Sequence, residues 1–288
     1  MNCFNGERYL LEAINSIYAQ TYPNWEIIFW DNASTDNSAN IALSFDEKIK
    51  YFKSEEVTSL GKARVKAVRE AQGDYIAFLD TDDLWIRDKL EKQVKLMEYS
   101  NYALCYGSVI IIDENGKETK KVPVCNTSGN VFGNLLKHYE INMQSVMLRH
   151  STLVENKLYF FDDMEFCPDY NLFMEIASCY PVAVISDFIV KYRIHNHSLS
   201  KKIIHLVPSE VRFTLDRILN KMPGLRFKFS TEFTQAYAKV KYYKSVSFMT
   251  NGDRYYAIKS LKSICFVRYE YFILLTLLLL QIPLKLIL

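Results

Sequence analysis

The stretch Gly73-Asp74-Tyr75-Ile76-Ala77-Phe78-Leu79-Asp80-Thr81-Asp82-Asp83-Leu84-Trp85 runs an apolar segment straight into a cluster of acids. The apolar residues 75–79, bounded by a glycine and by charges, predict a short buried strand. A strand apolar on both sides belongs inside a sheet covered on both faces. In open α/β sheets, ligands bind beyond the carboxyl ends of the strands, which is where the acids begin. Several carboxylates in one loop repel each other unless a cation or a set of donors holds them. Asp80 and Asp82, separated by the small Thr81, suit a hard divalent ion, Mn²⁺ or Mg²⁺, completed by phosphate and water. The competing reading, an acidic start to the next helix favoured by its dipole, carries equal weight on spacing alone. The buried strand before the acids tips the balance toward a ligand.

Working outward, helix and strand alternate. Leu10, Leu11, Ile14, Ile17 and Tyr18 recur at helical spacing over residues 7–20 and stop before Pro23. Residues 25–30 predict a second buried strand, which ends at Asp31 and opens into a polar loop, 32–36. A helix over 36–45 capped by Thr35 or Asp36, a strand over 49–52 and a helix from Leu60 to Ala71, stopped by Gly73, follow. Beyond the acidic cluster come a helix over 86–99, a strand over 103–112 and a turn at residues 113–116. Pro168 and Asp169 introduce a helix reaching Ser178. A strand-like run from Pro181 to Tyr192 leads into Arg193-Ile194-His195. The expected fold is therefore α/β, a mostly parallel, Rossmann-like sheet flanked by helices. Residues 117–165 are mixed; Gln144 and Arg149 are the candidates there for contact with an acceptor.

Composition narrows the partners. The chain has 288 residues and a net charge of +2, which argues against nucleic acid as the main partner. Six scattered cysteines show neither metal-type nor disulfide-framework spacing. The opening residues lack the basic and apolar regions of an export signal, so the catalytic part is expected to face the cytoplasm. Helical, basic-aromatic character from about 205 onward divides the chain into a catalytic domain, 1–204, and a helical region, 205–288. The apolar run 271–288 has Lys259, Lys262 and Arg268 upstream, a combination that suits association with an anionic membrane surface.

Asn5-Gly6-Glu7-Arg8-Tyr9-Leu10, Gln20-Thr21-Tyr22-Pro23, Asp31-Asn32-Ala33-Ser34-Thr35-Asp36, Gly61-Lys62-Ala63-Arg64 and Gly73 to Trp85 stand in the order and spacing of one family. Over residues 3–200 the chain resembles the family 2 glycosyltransferases. The resemblance implies a nucleotide-sugar-binding GT-A fold and an inverting transfer from a nucleotide-diphosphate sugar donor. It implies nucleotide-sugar binding by Phe4, Asp31, Arg64 and Asp80, where Asp80 begins the DxD motif, and metal binding by Asp82 with help from His195 of Tyr192-Arg193-Ile194-His195. It also implies that Asp169 is the catalytic base; from the residues alone, Asp169 reads first as a helix N-cap. Arg193 is open between diphosphate binding and a solvated surface role. A glycan or lipid-linked acceptor at the membrane is the expected second substrate.

Three features depart from the family pattern. The apolar strand that usually precedes the Asn5-Gly6-Glu7 turn is largely missing, Pro168 replaces a usual acid, and Asn32-Ala33 stand where Asp-Gly is more common. A lost central strand leaves backbone groups of its neighbours without a ladder. Two other functions compete: a nucleotidyltransferase, which would need a Gly-rich basic loop, and a silent nucleotide-sugar-binding scaffold.

Overall fold

The computed structural model describes residues 1–196 and 204–280. His197 and residues 281–288 of the apolar tail lie outside them. The chain forms two units, Met1–Phe132 with Glu140–Lys201, and Gly133–Tyr139 with Lys202–Leu288.

The first unit holds two sheets. In the first, β1 (Asn2–Cys3), β2 (Ile27–Asp31) and β3 (Ile49–Lys53) lie parallel in that order. The connections are helical, through α1 (Glu7–Tyr18) and α2 (Ser38–Leu43), as parallel neighbours require. The apolar stripe of α1 buries Leu10, Ala13, Ile14 and Ile17, and every residue of β2 is buried. The second sheet contains β4 (Tyr75–Ala77), β5 (Leu84–Trp85), β6 (Leu104–Ile112), β7 (Glu118–Val122), β8 (Met147–Arg149) and β9 (Val182–Arg193). Its order is β4-β8-β6-β9-β5, with β7 against the far half of β6. Helices α3 (Leu60–Glu70), α4 (Lys89–Glu98), α6 (His150–Asn156) and α7 (Pro168–Cys179) complete the unit, while α5 (Phe132–Lys137) belongs to the second unit from Gly133 onward.

The expectation of a mostly parallel sheet needs correction for this second sheet. Only β6 and β9 run parallel there; the other pairs are antiparallel. An apolar run reports burial on both faces and is silent about direction. Direction follows from the connections, such as the tight turn at Gly116, whose φ of 82° suits a glycine. The stop at Gly73 also differs. Helix α3 ends at Ala71 in extended backbone, so Gly73 is not a left-handed cap.

The first strand is two residues long. Asn2 pairs with Trp30 and Cys3 with Asp31, and the Met1 ammonium donates to the Ile28 carbonyl at 2.8 Å. A cavity of about 360 Å³ is lined by Met1, by Ile27 and Ile28 of the first sheet and by Tyr75, Ile76 and Ala77 of the second. Among the described residues no ladder joins β2 to β4.

The second unit is helical: α8 (Val207–Lys221), α9 (Leu225–Lys228), α10 (Ser230–Thr250), α11 (Arg254–Lys262) and α12 (Tyr269–Leu279). Ala238, Met249, Leu261, Leu274 and Leu278 share one core there. No helix among the described residues is long and apolar enough to cross a membrane.

Candidate active site

The acids Asp80 to Asp83 leave β4 and meet residues from four other segments. Gly6, at the start of α1, makes the loop's close approach possible: a Cβ there would stand 2.6 Å from Thr81 Oγ1. Gly61 permits a second close approach, between α3 and the loop around Phe161. Its missing Cβ would fall 2.0 Å from the Phe161 carbonyl oxygen, and its amide donates to the Met164 carbonyl at 2.9 Å. Ser59 accepts from the Lys62 amide as the cap of α3 and donates to the Asp162 carbonyl. The start of α3 is thus fastened to the loop that precedes α7.

That fastening carries Arg64 to the acids. Its guanidinium is buried, with Nη1 3.4 Å from Asp169 Oδ1 and Nη2 3.8 Å from Asp80 Oδ1. Asp169 lies in the first turn of α7. The cap position belongs to Cys167, and no side chain caps this helix. The N-cap role is therefore not the one Asp169 plays. Burial pushes the Asp169 carboxyl above the usual carboxylate range, and the charge of Arg64 opposes that rise.

On the other flank, Asp82 Oδ2 and His195 Nε2 are 2.9 Å apart. Burial, followed by the charge of Asp80, raises the Asp82 carboxyl; the His195 contact lowers it. The pair offers a carboxylate oxygen and a ring nitrogen side by side, and these are the residues that would hold a Mn²⁺ or Mg²⁺ ion. Among the described residues no three His, Cys, Asp or Glu side chains stand close enough to hold an ion by themselves. Phosphate and water would complete the shell, as is usual for Mg²⁺.

Arg193 and Asp83 build the frame beneath. Arg193 is 2% exposed. Its guanidinium donates to the Asp82 and Glu114 carbonyls and to Glu12 Oε2, at 2.9, 3.3 and 2.8 Å, and lies 4.3 Å from the centre of the Tyr9 ring. Its backbone amide donates to Asp83 Oδ1 at 2.6 Å. Neither a solvated arginine nor one facing a diphosphate matches these contacts; Arg193 ties the acidic loop to α1 and to the β6–β7 turn. The Tyr9 ring also packs 5.3 Å from the His195 ring, centre to centre.

Asp31 is placed differently from the acids of the loop. It is fully buried, its Oδ1 accepts from the Ser34 amide and its Oδ2 from the Tyr51 hydroxyl, at 2.7 and 2.6 Å. In this arrangement both carboxylate oxygens shape the turn after β2. Phe4, which follows β1, is half exposed. Of the two acceptor candidates, Arg149 donates to the Tyr102, Met97 and Ser100 carbonyls. Gln144 is buried against Asp80. Both are engaged within the protein.

The profile of "Glycosyl transferase family 2" matches residues 1–154. The chain belongs to family 2 of the glycosyltransferases. A curated relative, the Escherichia coli "UDP-Glc:alpha-D-GlcNAc-diphosphoundecaprenol beta-1,3-glucosyltransferase WfgD", is 35% identical over 69% of this chain and 78% of its own. An uncharacterized glycosyltransferase of Rickettsia conorii is 31% identical over 92% of this chain, which spans 45% of that relative. The chain thus covers under half the length of some of the curated glycosyltransferases it matches. The mannosyltransferase PcManGT of Pyrobaculum calidifontis, solved with GDP-Man and Mn²⁺, superposes with a TM-score of 0.63 over 92% of this chain and 73% of its own, at 18% identity. The GT-A-like α/β fold is shared.

For a family 2 member, the residues that sequence reasoning missed are the supporting ones. Glu12, Tyr9 and Tyr51 sit within helix and strand patterns that also satisfy ordinary packing. Asp83 reads as one more acid in a run, yet it is 1% exposed and bound to the Arg193 amide. Burial and the charges of Asp82 and Asp80 raise its carboxyl well above the usual range.

Proposed function

We propose that the chain transfers one sugar from a nucleotide-diphosphate donor to a hydroxyl of a surface-glycan or lipid-linked acceptor, with inversion at the anomeric carbon. The observation that carries this reading is the bracket formed by Arg64 between Asp80 and Asp169, beside the Asp82–His195 pair. Asp169, as a carboxylate restrained by Arg64 and made more basic by burial, accepts the proton of the acceptor hydroxyl as its oxygen attacks; such general bases contribute about 10²–10⁴-fold. Arg64 restrains that carboxylate and faces the donor's phosphates; its buried Nε has no partner among the described residues. Asp80, Phe4 and the turn shaped by Asp31 orient the nucleotide, so that the reacting carbon faces the base. A divalent ion held by Asp82 and His195 would offset the negative charge that builds on the departing diphosphate.

The acceptor is proposed to lie at the cytoplasmic face of a membrane. WfgD is named for a diphosphoundecaprenol acceptor, and this chain exposes Phe266, Tyr269, Phe272 and Ile273 on and before α12, near the basic Lys259, Lys262 and Arg268. Aromatic and apolar side chains with a basic flank favour an anionic interface.

The test is release of nucleoside diphosphate from a panel of nucleotide sugars in the presence of Mn²⁺. Asp82→Ala is expected to abolish release, and Asp169→Asn to abolish it while donor binding persists. Donor binding with no turnover on any acceptor, lipid-linked ones included, would defeat the reading in favour of a silent binding protein.

A further inference from the structure

Gln144 sits in a single 3-10 turn, Met143–Ser145, and is fixed from every side. Asn142 Oδ1 accepts from its amide at 3.0 Å. Its carbonyl accepts from the Trp85 indole N–H at 3.1 Å, and the neighbouring Ser145 carbonyl accepts from Gln93 Nε2 at 2.8 Å. Gln93 in turn accepts from Lys89 Nζ at 2.6 Å, deep in the protein. These bonds fix the Gln144 backbone, and the side chain on it is 3% exposed, so it has little rotamer freedom left to lose when it binds something else.

What it binds is Asp80, twice. Gln144 Oε1 accepts from the Asp80 amide at 2.8 Å, and Gln144 Nε2 donates to Asp80 Oδ2 at 2.5 Å. Only this orientation of the carboxamide matches a donor to an acceptor at both points. With Oδ2 held by the amide, Oδ1 is the oxygen turned toward Arg64, while the Asp80 side chain keeps 39% of its exposure. Asp82, two residues on, has no such amide and faces His195 instead.

We propose that Gln144 is a positioning residue that makes Asp80 a one-oxygen acceptor, so that Asp80 grips the donor nucleotide through Oδ1 and leaves the cation to Asp82. The inference rests on the transferase reading above. A carboxylate free to rotate would offer both oxygens to a nearby divalent ion, as carboxylates do in bidentate sites. The buried carboxamide removes that option and separates the tasks of two acids that are alike in sequence.

Three variants test it. Gln144→Met keeps shape without hydrogen bonds and is expected to raise the donor KM about tenfold, the usual order for a lost charge-assisted bond, with kcat and melting temperature little changed. Gln144→Glu places a second carboxylate against Asp80 and is expected to raise KM at neutral pH. That defect should fade as the pH falls and a protonated glutamic acid restores the donor. Gln144→Leu should resemble Met at every pH. Equal losses in kcat and stability with an unchanged KM, or a Glu variant whose KM does not respond to pH, would overturn the proposal. If wild-type protein transfers no sugar, the transferase reading fails on its own. UDP and GDP, each with Mn²⁺, then serve as binding probes, and the Gln144 side-chain amide protons are followed by exchange in wild type and Asp80→Ala. Protected amide protons with nucleotide affinity unchanged in Gln144→Met would mean that the clamp is only structural.

Discussion

The backbone of Gly61 rests directly on the carbonyl of Phe161, leaving no room for a methyl group between helix α3 and the loop before α7. The obstacle is backbone, so no side-chain rotation can relieve it. Gly61→Ala is therefore expected to destabilise the protein by about 1–3 kcal/mol, as overpacking does, and to pull Arg64 from Asp169. Thermal denaturation measures the first effect. The second predicts a lower transfer rate in whatever fraction stays folded.

Arg64 opposes the burial-driven rise of the Asp169 carboxyl. Removing the guanidinium raises that carboxyl further, so the base is lost to protonation at a higher pH. In Arg64→Met at saturating donor, the acid limb of the kcat profile should move upward relative to wild type. An unmoved or lowered limb would argue against Asp169 as the base.

Ala33 adopts φ 64° in the loop after β2, a left-handed conformation that costs an L-residue roughly 1–2 kcal/mol. Glycine there relieves the strain but loses more entropy on folding. The balance predicts that Ala33→Gly stabilises the protein by about 0.5–1 kcal/mol, read as a rise in melting temperature of a few degrees.

Lys89 is fully buried, and burial lowers its ammonium from 10.5 to about 7. Between pH 7 and about 10 the unfolded chain keeps this proton and the folded chain releases it. This lysine therefore makes the protein gain stability as pH rises through that window, and below it the cost of burying the charge is felt in full. In Lys89→Met the dependence of melting temperature on pH from 7 to 9 should be flatter than in wild type. An identical slope in the two proteins would refute the assignment.

Much of this arrangement is legible in the sequence. The runs at Ile27–Asp31 and at Tyr75–Ala77 announced themselves as strands because burial on both faces leaves an apolar signature, and both end in the acids expected of them. Arg64, Asp80, Asp82, Asp169 and His195, assigned from short motifs far apart in the chain, come together around one loop. What stayed hidden depends on contacts across long sequence separations. The antiparallel partners of β4 and β9 are set by turns and crossings, which hydropathy does not record. Arg193 stays open in the sequence between a phosphate contact and a solvated role, because a charged residue beside a motif is normally wet; its burial against Tyr9 and Glu12 is visible only in three dimensions. Gln144 lay in the stretch with the weakest periodicity, and its role comes entirely from Asp80, 64 residues away.

The absence of a ladder between the two sheets has a mechanical meaning. Among the described residues no backbone hydrogen bonds cross from Ile27–Asp31 to the second sheet, yet Ile27 and Phe29 share one buried core with Leu79, Cys105 and Met147. Side-chain packing, which has no preferred direction, is thus what couples the two sheets at this seam. Thinning it with Phe29→Ala should let the amides of Ile27–Asp31 exchange with solvent sooner relative to those of Leu104–Ile112.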